Sequence, residues 1–321
     1  VQSVSEPALV SSSAAVSSGT AADERGAATH KPRRSTWPYL FVLPAVIAIG
    51  FGFIFPLISV VRNSFYSGTF YKLTFVGFDN YRFMFQDDVF LTSLKNNLKL
   101  LLTVPVMTVV ALLVAVVLND GIRGWKAYRS SIFLPYILPA VGIGLAFSVF
   151  LQYNGGLNAI LRGIGLDSLA VDWLGSPTWA IWSVGAVVVW QQLGFGVVVF
   201  LAALLSLPPE VSEAARIDGV SWTQLQTRIH IPQIRTAIEF FVVTEAITVL
   251  SWVFTYVYVL TLGGPGNASS VMEFYIWKNG FAQGSVGLAN SAAVIVLLLA
   301  SVLIFAYLRL RSRPDDQARG L

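Results

Sequence analysis

The chain has 321 residues, of which 55% are hydrophobic and only 12% charged, and its mean hydropathy is +0.68. Water-soluble domains carry about 25% charge. A chain with half that share has too few charged groups to coat a surface of this size, so much of it faces lipid and a soluble enzyme is all but excluded.

Fifty-five per cent of the chain is about 177 apolar residues, room for six membrane helices of roughly 20 residues with loops between them. The absence of cysteine excludes disulfides, Cys-based zinc sites, iron–sulfur clusters and thiol catalysis. With only His30 and His230, a multi-histidine metal site is not expected. A net charge of +4 and a pI of 9.3 suggest nucleic acid in a soluble protein. Here they raise the question of which membrane face holds the charge.

Residues 1–36 are rich in Ser and Ala and end in the basic cluster His30-Lys31-Pro32-Arg33-Arg34. They read as a disordered tail, not a cleavable signal, because the apolar run that follows is too long for an h-region. Uncharged apolar runs then recur at Tyr39–Val61, Leu100–Leu118, Ser130–Gln152, Trp179–Leu205 and Ala289–Leu308, with Phe240–Leu262 interrupted only by Glu245. Each is long enough to span as a helix. The expected fold is an all-α, polytopic membrane protein with six spans over 37–310 and a C-terminal tail over 311–321.

Six spans put both termini on one side. That side would hold fourteen of the twenty-one Lys and Arg residues, which places both termini in the cytoplasm of a cell membrane. Topology and contact with anionic lipid then explain the net positive charge, with no nucleic-acid partner.

Between the fourth and fifth spans lies a loop, 206–238, with helical punctuation. Pro208 and Pro209 stand where a helix starts, Glu210 and Glu213 fall in its first turns, and Gly219 suits a left-handed stop. Ser221-Trp222-Thr223-Gln224 has capping-box spacing, so a second helix is expected to run to about Ile229, before Pro232. A helix, glycine turn, helix hairpin on a membrane face is either a connector with Val211, Ala214 and Ile217 toward the headgroups or a docking element. Ala214 and Ala215 beside Glu213 favour docking: small side chains admit another backbone, and the carboxylate can pair with a partner's Arg or Lys.

Glu213-Ala214-Ala215-Arg216-Ile217-Asp218-Gly219, followed by Ile229-His230-Ile231-Pro232, resembles the EAA loop of permease subunits in binding-protein-dependent ATP-binding-cassette (ABC) importers, most of all the sugar-importer permeases. The similarity extends to Asn154-Gly155-Gly156-Leu157-Asn158, to Leu201-Ala202-Ala203-Leu204 with Pro208, and to Tyr258–Gly266, covering roughly residues 38–310. Val220 replaces a common alanine, and Thr236 stands where a second proline often follows, which leaves the exit into the fifth span in question.

The resemblance implies the type I ABC importer transmembrane fold and a coupling helix that docks on a cytoplasmic ATPase. Glu213 would form a salt bridge there, Ala214 and Ala215 would pack closely, Gly219 would fix the docked angle, and Asp218 and Pro232 complete the motif. It also implies a second permease subunit, usually as a heterodimer, two ATP-binding-cassette ATPase subunits, and an extracellular solute-binding protein. The Gly263-Gly264-Pro265-Gly266 segment, read as a flexible turn, would form part of the surface that meets the binding protein. No Gly-x-x-x-x-Gly-Lys-Ser/Thr loop occurs, so this chain binds no cofactor, and ATP and Mg belong to the partner ATPase.

For the solute path, Glu245, Val249, Trp252 and Tyr256 are spaced to share one stripe of a helical fifth span. An aromatic face suits the C–H surface of a sugar and a carboxylate its hydroxyls, and a carboxylate within a span is a functional candidate. The alternative is that Glu245 bonds within the bundle and the aromatics pack. Trp190, Gln191 and Gln192 in the fourth span leave the same two readings open. Glu239, Asp87 and Asp88 read as solvated. A second transport class is an ion- or proton-coupled secondary transporter using Glu245, whose mark would be broken helices at the midplane and two similar halves. No motif occurs twice.

Overall fold

The computed structural model describes residues 37–69, 71–121 and 125–311. The tail expected over 1–36 lies outside them, as does the C-terminal tail beyond Arg311.

Two units divide the chain after Gly50. The first contributes α1, Trp37–Ile49, an uncharged helix with Pro44 inside it. A π turn, Gly50–Ile54, starts at the last residue of the first unit, and α2, Phe55–Asn63, follows in the second. Residues 40–63 make one candidate span.

A short antiparallel hairpin follows, β1 Tyr66–Thr69 and β2 Lys72–Phe75, with Tyr66 opposite Phe75. Sequence patterning did not foresee it. Next come α3, Asp79–Gln86, then α4, Asp88–Leu101, which continues into α5, Thr103–Asn119, so the second span begins well before Leu100. Asp87 is not simply solvated: its Oδ1 caps α4 by accepting the Val89 N–H at 2.9 Å, and its Oδ2 accepts the Tyr275 hydroxyl at 2.8 Å.

The expected third span, Ser130–Gln152, is two helices, α6 Trp125–Ile137 and α7 Ala140–Phe150, bent by 102°. Pro139 causes the break: it has no N–H to donate, and its φ of −60° and ψ of 130° are those of extended chain. After α8, Gly156–Gly163, the fourth span is α9, Ala180–Leu205, the most buried helix of the bundle among the described residues.

Small residues let neighbours close on α9. A Cβ at Gly196 would lie 2.8 Å from that of Ala111 on α5, and one at Gly194 would strike the backbone of α6 at Ile132. The resulting core runs along α5 and α9 through Met107, Ala111, Val184, Val188, Phe200 and Leu201.

Beyond α9 lie α10, Pro209–Ile217, and α11, Trp222–Gln224, which runs into a π turn, Leu225–His230, and α12, Ile231–Gln233. The fifth span is α13, Arg235–Ser251, and α14, Phe254–Leu260, bent by 48°. α7 and α14, the second halves of the two bent spans, pack together, with Gly144 against Val259. Then come α15, Met272–Trp277, and α16, Val286–Arg311, which supplies the last candidate span. Among the described residues, four helical runs are long and apolar enough to cross a membrane, six if each bent pair counts as one.

Candidate functional site

The two breaks face one cavity of about 410 Å³. Tyr136 and Ala140 flank the first break, Thr248, Trp252, Thr255 and Tyr256 the second, and Gln191 and Gln192 of α9 close the wall. Sequence spacing had singled out Gln191, Gln192, Trp252 and Tyr256. It missed Tyr136, Thr248 and Thr255, because nothing local marks which face of a uniformly apolar run turns toward a cavity.

Gln191 is 5% exposed and ties the first break: its Nε2 donates to the Leu138 carbonyl at 2.9 Å, while its buried Oε1 has no partner among the described residues. That carbonyl belongs to the residue before Pro139, where a helix cannot continue to satisfy it. The cavity wall thus carries neutral amides, hydroxyls and aromatic rings, and no charged side chain.

The single stripe expected through Glu245, Val249, Trp252 and Tyr256 does not exist. α13 stops at Ser251, so Trp252 leaves the helix with φ −129° and is 75% exposed, while Glu245 is 1% exposed and Val249 is fully buried. Glu245 lies in the bundle, its Oε2 without a partner among the described residues, away from the cavity wall. Trp190 also points elsewhere. It lies over Phe147, with centroids 5.1 Å apart, and lines a separate apolar cavity of about 360 Å³ with Trp173, Trp179 and Trp182. Successive helix residues differ by about 100°, so Trp190 and Gln191 face different neighbours.

The 206–238 segment forms the hairpin its punctuation predicts, with one difference. Gly219 has φ +76°, and the Val220 N–H bonds the Ala215 carbonyl at 3.0 Å, closing α10 with the left-handed turn that glycine favours. Ser221 and Gln224 form the reciprocal capping box. Pro232 does not end the second helix. The chain stays helical to Gln233, because the π turn just before Pro232 widens the helix where the proline ring would crowd a carbonyl.

Glu213, Ala214 and Asp218 are exposed on this hairpin beside Ile217, which is 87% exposed. Ala215 is not: it turns inward, on the same face as Ser212, and so packs within the chain. Pro232 is exposed. Side chains given no docking role in the sequence hold the hairpin together and tie it to α5. The Nε2 of His230 lies 2.8 Å from the Ser212 Oγ, and its Nδ1 lies 2.9 Å from the Gln226 Oε1. The Trp222 Nε1 donates to the Asp120 Oδ2 at the end of α5 over 2.5 Å. Burial holds His230 below its ordinary pKa of 6.5, against the pull of Asp120 and with that of Arg216.

Glu239 pairs with Arg235 at 2.6 Å instead of standing alone in solvent. The Gly263–Gly266 turn is held, not loose. The Ser269 hydroxyl bonds Thr261 and the Gly264 carbonyl, and Gly263, with φ +78°, lies under the Phe274 ring, where a side chain would not fit. Among the described residues no group of His, Asp and Glu could hold a metal ion.

Comparisons with known proteins bear on what this arrangement serves. The family model described as "Binding-protein-dependent transport system inner membrane component" matches residues 94–314, a stretch that holds the cavity and the hairpin. The probable ABC transporter permease protein YurN of Bacillus subtilis is 34% identical over 268 residues, 82% of this chain and 91% of its own length. The diacetylchitobiose uptake system permease protein NgcF of Streptomyces coelicolor is 35% identical over 263 residues, 76% of this chain and 74% of its own. The lactose transport system permease protein LacF of Rhizobium radiobacter is 31% identical over 273 residues, 83% and 91%. A chain of a bacterial alginate ABC transporter, solved in complex with an alginate pentasaccharide-bound periplasmic protein, aligns with a TM-score of 0.76 at 26% identity, over 87% of this chain and 95% of that one.

None of these matches supports a secondary transporter, although broken spans do occur here. The fold is that of type I ABC importer transmembrane domains. The chain belongs to the inner-membrane permease components of binding-protein-dependent ABC transport systems.

Proposed function

We propose that this chain is the permease subunit of an ATP-driven importer for a sugar or sugar-like polar solute, and that the cavity between the broken spans is its part of the path. The wall chemistry supports this reading. Trp252, Tyr256 and Tyr136 offer aromatic faces, Gln191, Gln192, Thr248 and Thr255 offer neutral hydrogen-bonding groups, and no charge is present to select an ion. The relatives named for diacetylchitobiose and lactose point to the same solute class.

The exposed face of α10, with Glu213, Ala214, Ile217 and Asp218, docks on an ATPase subunit that binds ATP and Mg, and Ala215, Gly219 and Pro232 shape it from behind. Two such subunits, a companion permease forming a heterodimer and an extracellular binding protein complete the importer. The bias of basic residues puts the hairpin and both termini in the cytoplasm. Glu245, buried away from the cavity, and Trp190, in the neighbouring apolar cavity, serve the bundle and not the solute.

Uptake of radiolabelled mono- and disaccharides by cells lacking this chain tests the reading. Accumulation of at least one sugar is expected to vanish, to return with the wild-type chain, and to return about tenfold less well with Trp252→Ala, the loss of one aromatic anchor. Unchanged uptake of every sugar on deletion refutes it.

A further inference from the structure

In an unbroken fifth span the Val253 N–H would bond the Val249 carbonyl, four residues back. It does not. The Trp252 N–H still bonds Thr248, at 2.8 Å, and the Val257 N–H bonds Val253, at 3.2 Å, while the Tyr256 N–H bonds Val253 three residues back, at 3.1 Å, so the four-residue ladder is open from the Val253 N–H to the Tyr256 N–H. Both separated groups meet side chains from elsewhere. Asn97 of α4, 1% exposed, donates its Nδ2 to the Val249 carbonyl at 3.4 Å. The carboxylate of Glu273 on α15 lies beside the Val253 N–H.

The two side chains also hold each other and their own elements. Asn97 Nδ2 lies 3.4 Å from Glu273 Oε2, and Asn97 Oδ1 accepts the Met272 N–H at 2.7 Å. The neighbouring Asn96 donates to the Ala268 and Ser270 carbonyls at 2.7 and 2.9 Å, anchoring the approach to α15 on α4. The pair is therefore fixed from behind before it reaches span five. No proline or glycine lies between Val249 and Val253 to open the helix unaided.

We propose that Asn97 and Glu273 form a side-chain wedge that opens span five between Val249 and Val253 and so sets the cavity wall, holding Trp252 and Thr255 toward the solute path. They are positioning residues, outside the cavity. With the wedge removed, the open rungs from Val253 to Tyr256 close, the 48° bend relaxes and Trp252 turns back toward the stripe of Glu245 and Val249. The proposal rests on the reading of this cavity as part of the path, and deepens it.

The absence of cysteine from the chain makes the test direct. Thr255→Cys is labelled in membranes with a methanethiosulfonate ethylammonium reagent, and the rate per inserted chain is compared in the assembled importer. Glu273→Ala is expected to slow labelling about fivefold, the effect of one buried hydrogen bond. Glu273→Gln, whose amide oxygen can still face the Val253 N–H, is expected to stay within about twofold of the parent. If Glu273→Ala fails to insert, Asn97→Ser carries the test with the same expected slowing.

An unchanged rate in the inserted variant overturns the wedge, as does equal slowing by Glu273→Gln. A purely structural role would lower the amount inserted and leave the rate unchanged. Slowed labelling with undiminished sugar uptake supports the wedge and overturns instead the cavity's place in the path.

Discussion

Gln191 donates to the Leu138 carbonyl across the first broken span as Asn97 donates to the Val249 carbonyl across the second. Each break leaves main-chain groups that lipid cannot satisfy, and each is met by a carboxamide from a neighbouring helix. The two breaks border one cavity, so its walls depend on both repairs. Replacing Gln191 by Leu leaves the Leu138 carbonyl without this partner in a region that lipid cannot satisfy, a cost of about 1–3 kcal/mol. Thermal unfolding of the purified importer is expected to move down by several degrees, and sugar uptake to fall with it. An unmoved transition would show that the bond adds nothing.

A side chain at Gly196 would press on Phe241 and Ala111, 2.7 and 2.8 Å from where its Cβ must lie. Gly196→Val is expected to cost about 1–3 kcal/mol by forcing α9 away from α5 and α13. Phe241→Leu, which clears part of that space, should restore much of the loss. The amount of chain surviving in the membrane reads both effects, and a double variant no better than the single would place the strain elsewhere.

Gly219 is held at φ +76° with nothing within 4 Å of where a Cβ would lie, so a substitution there strains the backbone without a clash. Gly219→Ala is expected to cost about 1 kcal/mol in the turn alone. The consequence should be functional: ATP hydrolysis persists while uptake falls, because α10 no longer meets the ATPase at its set angle. Hydrolysis and uptake falling in step would argue that the turn serves assembly only.

His230 predicts a pH dependence. In its neutral form the Nδ1–H donates to the Gln226 Oε1 and the Nε2 accepts the Ser212 hydroxyl. Burial disfavours the charged ring, so the folded pKa lies below the ordinary 6.5. The unfolded chain therefore takes up a proton first as pH falls. The hairpin's stability is full above about pH 6.5 and is lost as pH drops below it. Hydrogen exchange over 209–233, measured at pH 7.5 and 5.5, should show faster opening at the lower pH. The His230→Gln variant should show little difference between them, and equal exchange in the parent would refute the link.

The parts of this protein that were legible in sequence are those fixed by local chemistry. Six apolar runs, the Gly219 turn and the Ser221 capping box each follow from residues within a few positions of one another. Pro139 also marked its break locally, though a proline within an apolar run reads equally well as a tolerated kink. The break at Trp252 carried no such sign, because Asn97 and Glu273 come from distant elements, and a helical stripe drawn through Glu245 and Trp252 assumed a helix that they interrupt. Asp87 read as solvated for the same reason: its partner, Tyr275, becomes visible only in the fold. Glu239 is different, because Arg235 stands one helical turn away and their pairing was open to a local reading. Ala214 and Ala215 are adjacent in the motif, yet the helix turns one outward and the other inward.

The energy source of uptake tests the central claim most directly. In proteoliposomes that hold the whole importer, with its binding protein outside, labelled sugar is predicted to accumulate when ATP is sealed inside and not when a proton gradient alone is imposed. Glu213→Ala should reduce that ATP-driven uptake by about tenfold or more, and Glu245→Gln should leave its dependence on ATP intact. Accumulation driven by the gradient without ATP, and lost in Glu245→Gln, would contradict the claim.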